Sequence, residues 1–226
     1  AVEIAASDLL ELGRAPEALA YLDEASEIKA KSGIPPRTSR FNFNTGVRIR
    51  LALAQGQVES ARSMLGELFV DPKETRGLSF TAMDQALLTA DVDLADGHTD
   101  AAAEIAAQVR QKIEKSGLQA YFEFYTMRAD LIEGEAALQD NRPQAALPLL
   151  QSSLKMREKL LDPSSPKIAE AQIALARCHL AMGDLKQAQT LATSATAIHS
   201  LHKELGEQYR EPLRQLQAQL KSHAGS

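Results

Sequence analysis

Cys178 and His179 are the neighbours in this chain that most suggest a nucleophile with its base. On a helix, consecutive side chains point about 100° apart, so the two cannot meet over one reacting atom. Cys178 falls where a helix tucks a small residue against its neighbour, which predicts a buried, inert thiol. His199 and His202, three residues apart, could touch one cation, but no third ligand accompanies them. Near a helix end they are expected to be surface groups complementing the dipole. There is no glycine-rich phosphate loop, no HExxH, no CxxC and no strand on which to mount a nucleophile elbow. The expectation is therefore a non-catalytic chain with no metal and no cofactor.

The elements that carry these residues repeat. Leu12-Gly13-Arg14 precedes Ala18, Gln55-Gly56-Gln57 precedes Ala61, and Asp96-Gly97-His98 precedes Ala102. Asp140-Asn141-Arg142 precedes Ala146, and Met182-Gly183-Asp184 precedes Ala188. In each, alanine follows the turn residue by five positions, and successive turns are 41 to 44 residues apart. Such a period is a solenoid signal. After each turn, small or apolar residues continue at i, i+4 and i+7: Ala18, Leu22, Ala25; Ala61, Leu65, Leu68; Ala102, Ala106, Val109; Ala146, Leu150, Ser153; Ala188, Ala192, Ala195. That is one stripe of an α-helix. Seven positions before each turn stand Ala6, Ile49, Ala90, Gly134 and Ala176, mostly small, which lets a preceding helix pack closely against the following one. Each unit thus reads as helix A, a glycine or asparagine turn, and helix B.

Punctuation divides the units. Ile34-Pro35-Pro36, Asp71-Pro72, Lys115-Ser116-Gly117 and Asp162-Pro163-Ser164-Ser165-Pro166 separate them, with Ser165 placed as an N-cap before a proline at the first helical position. The expected repeats are about 1–34, 37–72, 75–116, 118–162 and 166–205, followed by a capping helix at about 207–221 that covers the last apolar face.

Thirty acidic residues against 25 basic ones leave a formal charge of −5, so sequence-independent nucleic-acid binding lacks its usual field and is disfavoured. No run of about 18 uncharged apolar residues occurs, which argues against membrane insertion. A single cysteine fits a reducing compartment, hence the cytoplasm. The chain opens inside an apolar-periodic stretch and without methionine, so a fragment of a longer protein is expected.

These residues resemble the tetratricopeptide repeat. The segment from Ala146 to Gly183, with Pro148-Leu149, Ser153-Leu154, Arg157-Glu158-Lys159, Asp162-Pro163, Ser165-Pro166 and Ile168-Ala169, is similar to the longer repeats of kinesin light chains. Within that likeness Pro148 is a kink rather than a helix end. Ile198-His199, Leu205-Gly206 and Pro212-Leu213-Arg214 resemble the C-terminal repeats that follow kinase or transcription-factor domains in bacterial signalling proteins. The implied fold is all-α: a right-handed solenoid of five helical hairpins and a capping helix. The large aromatics usual in helix A are replaced by Thr45 and Ala52 in the second unit and by Gln172 and His179 in the fifth. Glu3 and Ser7 stand where the carboxylate clamp of chaperone-binding members wants lysine and asparagine, which disfavours that role.

Carried onto this chain, the family's concave-face positions give Phe43, Gly46, Arg50 and Leu53; Asp84, Leu87, Asp91 and Leu94; Arg128, Leu131, Glu135 and Leu138; Glu170, Ile173, Arg177 and Leu180. Charges alternate over an apolar floor, either as a peptide track or as pairs that hold the stack, Arg50 with Asp91 and Glu135 with Arg177. Seven aromatics also gather at the starts of three A helices: Phe41, Phe43, Phe80, Tyr121, Phe122, Phe124 and Tyr125. They either fill gaps in the core or rim a binding edge, where Arg37, Arg40, Arg48 and Arg50 would suit an acidic peptide. The expected function is a protein–protein interaction module that binds a peptide or protein segment, within a larger bacterial signalling protein. The alternatives are an effector- or peptide-sensing regulator and a self-associating, homodimer-forming domain.

Overall fold

The computed structural model describes residues 2–12, 14–33, 39–68 and 79–224; the side chains of residues 2, 3, 11, 39–43, 208 and 224 fall outside that description. Eleven α-helices follow one another among the described residues. They are α1 (Val2–Glu11), α2 (Ala15–Lys31), α3 (Ser39–Ala54), α4 (Val58–Leu65), α5 (Phe80–Ala95), α6 (Thr99–Ser116), α7 (Glu123–Gln139), α8 (Pro143–Leu160), α9 (Pro166–Ala181), α10 (Leu185–Leu201) and α11 (Glu207–Ala224). A short 3-10 turn, Gln119–Tyr121, leads into α7. The separators Ile34-Pro35-Pro36 and Asp71-Pro72 lie outside the described residues.

The turn chemistry accounts for the hairpins. Gly56, Gly97 and Gly183 take φ of 71°, 79° and 81°, and Asn141 takes 55°. In this left-handed region glycine is unstrained and asparagine is the next best tolerated. The following amide turns back to the last turn of the preceding helix. Gln57 N–H donates to the Ala52 carbonyl at 2.8 Å, His98 to Asp93 at 2.8 Å, Arg142 to Ala137 at 2.8 Å and Asp184 to His179 at 2.9 Å. This six-to-one bond satisfies a helix-end carbonyl and directs the chain into an antiparallel helix. Ser79, Ser165 and Asp184 cap the next helices with their side-chain oxygens.

Packing follows the two stripes read from the sequence. Ala6, Ile49, Ala90 and Ala176 are fully buried on the A helices, and so are Ala18, Ala61, Ala102, Ala146 and Ala188 on the B helices. The buried residues form successive clusters rather than one centre: one around α1, α2 and α3, one around α3, α4 and α5, one around α5, α6 and α7, and one from α7 through α11. Each unit therefore depends on its neighbours, as in other repeat stacks. Each A helix also touches the next A helix, α1 with α3, α3 with α5, α5 with α7 and α7 with α9, whereas among the described residues no comparable contact joins the B helices. The A helices thus form the inner, concave layer.

Two helix ends differ from expectation. Helix α4 stops at Leu65, short of Leu68, because Gly66 is a poor helix former and its amide closes a tighter bond to the Ser63 carbonyl. Leu68 still packs on the Ile49–Ala61–Leu88 cluster. Helix α10 ends at Leu201 rather than near Leu205. The His202 ring N–H donates to the Ser164 carbonyl at 2.6 Å, and the Arg210 guanidinium takes the carbonyls of His202 and Leu205, so the chain leaves the helix with its carbonyls satisfied. Helix α8 runs through Pro148 without stopping.

Helix α11 lays Leu213, Leu216 and Leu220 on the last hairpin. Its first turn also reaches the other end of the chain. Tyr209 packs on the first cluster and its hydroxyl donates to the Leu10 carbonyl at 3.3 Å. The two ends therefore meet, and Tyr209→Ala is expected to open them. Small-angle scattering should register a larger radius of gyration for this variant with unchanged helix content; an identical scattering profile would contradict the contact.

Candidate functional site

The A helices bring the charged positions of the concave face together in two sets. In the first, the Arg50 guanidinium on α3 pairs with Asp84 on α5 at 2.5 Å. Arg128 on α7 pairs with the same Asp84 at 2.9 Å and also with Asp91, two helical turns along α5. The result is a ladder, Arg50–Asp84–Arg128–Asp91, across three successive helices. It corrects the expected pairing of Arg50 with Asp91: Asp84 lies directly across from Arg50, and Arg128 occupies Asp91. Burial works against charge on Arg128, but Asp91 and Asp84 more than offset it and drive its pKa above the ordinary value.

The second set lies on α7, α8 and α9. Glu170 pairs with Arg157 at 2.6 Å and with Lys167 at 3.6 Å. Burial opposes its charge, yet Lys167 and Arg157 outweigh that and hold the carboxyl down to about 2. Glu135 is the reverse. Burial, with the Glu170 charge adding to it, pushes its carboxyl up to about 7 against the opposing pull of Arg177 and Arg157. The expected ion pair between Glu135 and Arg177 does not form: Arg177 acts on Glu135 through space, from beyond ion-pairing distance. Between the charges, Leu87, Leu94, Leu131 and Ile173 are buried, with Leu138 and Leu180 partly so. They make the apolar floor.

The aromatic edge divides. Phe122 is buried and stacks with Phe80 at 5.0 Å and with Tyr125 at 6.3 Å, while Phe80 and Tyr125 lie 6.0 Å apart. That trio fills the corner where α5 meets α7, as a core role requires. Phe80, Phe124 and Tyr121 nonetheless remain 58%, 55% and 76% exposed. Tyr125 joins the edge to the ladder: burial raises its pKa, the Asp84 charge adds to the rise, and Arg128 and Arg50 oppose it. The side chains of Phe41 and Phe43, and Arg37 and Arg40, lie outside the described residues. Arg48 is occupied by Asp23 at 2.6 Å and by Asn44 at 2.9 Å, and Arg50 by Asp84. The described arginines of this edge are therefore already neutralised, which removes the electrostatic ground for an acidic peptide there.

Other side chains fall differently from expectation. His199 is buried, and burial, helped by Arg210 and His202, holds its pKa down; with His202 bonded inward to Ser164, neither is a surface dipole group. Cys178 is fully buried, its thiol against the Pro143 carbonyl at 3.2 Å. Burial raises its pKa, as an inert thiol requires. The residue that sequence inspection passed over is Arg157. It is 4% exposed and continues the stripe Ala146, Leu150, Ser153 by four positions, which was the available signal: a cation where an apolar residue belongs.

With helices in sequential hairpins and this stripe pattern in place, comparison with known proteins shows what part of the chain resembles. Residues 125–200 match the tetratricopeptide repeat. The match spans α7 to α10, and the sequential hairpins of the whole chain form a solenoid like that of tetratricopeptide repeats. Among curated proteins none matches the chain. Of solved structures, the chain is similar to a Podosopora anserina kinesin light chain with nearly identical TPR-like repeats, at 21% identity over 89% of this chain and 95% of that one, TM-score 0.52. It is also similar to BtubC (BKLC) of P. vanneervenii, at 17% identity over 96% of this chain and 91% of that one, TM-score 0.56. At such identities the likeness speaks for the fold alone. Tetratricopeptide repeats are in general protein–protein interaction modules on a scaffold that is typically non-catalytic. No described helix is long and apolar enough to cross a membrane.

Proposed function

We propose that this chain binds an extended protein segment along its concave face, as the interaction region of a larger bacterial signalling protein in the cytoplasm. The observation that carries this is the row of partly exposed charges, from Arg50 through Asp84, Asp91, Arg128 and Glu135 to Glu170 and Arg177, aligned across four A helices over an apolar floor. A floor of leucine and isoleucine supplies contact area, and fixed charges supply register and discrimination. Phe80, Tyr121 and Phe124 extend the surface at one margin with the residue type that most often anchors interfaces. The buried single cysteine supports a reducing compartment.

Selection of a random dodecapeptide library on the purified chain tests this. The selected peptides are expected to shift the backbone amide resonances of α5, α7 and α9. Replacing Phe80 by alanine and Arg177 by glutamate together should weaken them about tenfold, a loss of about 1.4 kcal/mol. Peptides that shift only B-helix amides would overturn the groove. Light scattering on the same samples separates binding from self-association: a mass that doubles with concentration, and peptides that compete with it, would favour the homodimer instead.

A further inference from the structure

Of the charged positions on the concave face, Arg50, Asp84, Asp91, Arg128 and Glu170 each have an oppositely charged partner within ion-pairing distance. Two do not. Among the described residues, no cation comes within ion-pairing distance of the Glu135 carboxylate on α7, and no anion within that distance of the Arg177 guanidinium on α9. These two sit on adjacent A helices and face each other's field without pairing. The nearer alternatives are taken: Arg128 on α7 is held by Asp84 and Asp91, Arg157 on α8 by the Lys167 carbonyl and Glu170, and on α6 Arg110 faces Asp130 and Glu133 rather than Glu135.

An ion left in a partly desolvated groove without a counter-ion is costly, and a partner group that supplies the counter-ion recovers that cost. Leu138, one turn on from Glu135, and Leu180, one turn on from Arg177, are only partly buried and leave apolar surface along which the aliphatic stem of a lysine or arginine can lie with its cationic head on the carboxylate. Arg177 is exposed and free to take a carboxylate. Packed helices are about 8–10 Å apart, and an extended strand advances about 3.3 Å per residue, so one strand crossing from α7 to α9 covers that gap in two or three residues.

We propose that the segment bound by this groove carries a basic residue that docks on Glu135 and, two or three positions away, an acidic residue that docks on Arg177. This rests on the groove function proposed above and names the chemistry of its partner. The two unmatched charges set direction as well as identity, since a reversed segment would place like charges together.

The same library selected at pH 8 provides the test, with wild type, Glu135→Gln and Arg177→Gln as targets. Neither variant removes an existing ion pair, so both should melt as cooperatively as the wild type. Wild-type peptides are expected to be enriched in Lys or Arg at one position and in Asp or Glu two or three positions away. The basic preference should vanish on Glu135→Gln and the acidic one on Arg177→Gln. Because Glu135 titrates near 7 among Glu170 and Arg177 on α9, Arg157 on α8 and Asp91 on α5, its ionised fraction falls between pH 8 and pH 6. Affinity for a selected peptide should drop about tenfold over that interval in the wild type and stay level in Glu135→Gln. Peptides that map to the groove but show no paired charge preference, or keep it in both variants, would overturn this motif and leave the groove standing. Peptides that bind elsewhere would overturn both.

Discussion

Replacing Gly134 by alanine is expected to destabilise the protein by about 2 kcal/mol, although glycine to alanine within a helix ordinarily stabilises. A methyl carbon at 134 would lie 2.5 Å from Leu150 Cδ2 and 2.7 Å from Cγ. Leu150 is fully buried at the contact of α7 with α8, in a cluster that includes Ala146, Leu154 and Ala171. It therefore has no vacant rotamer to enter, and the two helices must part. Leu150→Ala alone should cost about 3 kcal/mol through lost burial and the cavity left behind. In the double variant the new methyl occupies part of the space that Leu150 vacates, so the combined loss should fall short of the sum by about 1.5 kcal/mol. Urea unfolding of the four proteins measures this cycle, and simple additivity would refute the close approach.

Glu135→Gln is expected to stabilise the protein at pH 8 by on the order of 2 kcal/mol. A carboxyl whose folded pKa is about 7, against about 4.3 when unfolded, binds its proton more tightly in the folded state. Its contribution to stability is fully present below the unfolded value and is lost as pH rises through 7. Wild type should therefore gain stability as pH falls from 8 to 5, the variant should not, and the two curves should meet near pH 4.5. Glu170, held down to about 2, acts in the opposite sense and only below pH 4.5, where its support for the fold fades in both proteins alike. Denaturation midpoints between pH 5 and 8.5 isolate the Glu135 effect. Parallel curves for the two proteins would show that this carboxyl titrates normally.

Much of the architecture was written in spacing. Gly56, Gly97, Gly183 and Asn141 fix where their hairpins reverse, because glycine and, next to it, asparagine accept positive φ most readily. The i, i+4, i+7 stripes identify which face each helix buries, and the buried alanines sit where that periodicity puts them. Helix ends were less legible, since α4 and α10 stop where backbone carbonyls and amides find other partners, His202 with Ser164 and Arg210 with Leu205, contacts that depend on residues distant in sequence or in the next turn. The aromatics were legible as a cluster but not in their division. Phe122 and Phe124 are two residues apart, and only the angle at which α7 meets α5 decides that one is core and the other surface.

The row of charges was expected on one face from the family resemblance, yet its pairing could not be read. The resemblance to tetratricopeptide repeats implies that Arg50, Asp84, Asp91, Arg128, Glu135, Glu170 and Arg177 share the inner layer, and a helical repeat returns such positions to one face of each A helix. Which of them meet depends on the shift and tilt between neighbouring helices, a matter of a few ångströms that packing sets and spacing does not record. Tertiary structure therefore decided that Asp84 serves two arginines, that Arg157 reaches from a buried stripe to Glu170, and that Glu135 and Arg177 do not pair with each other.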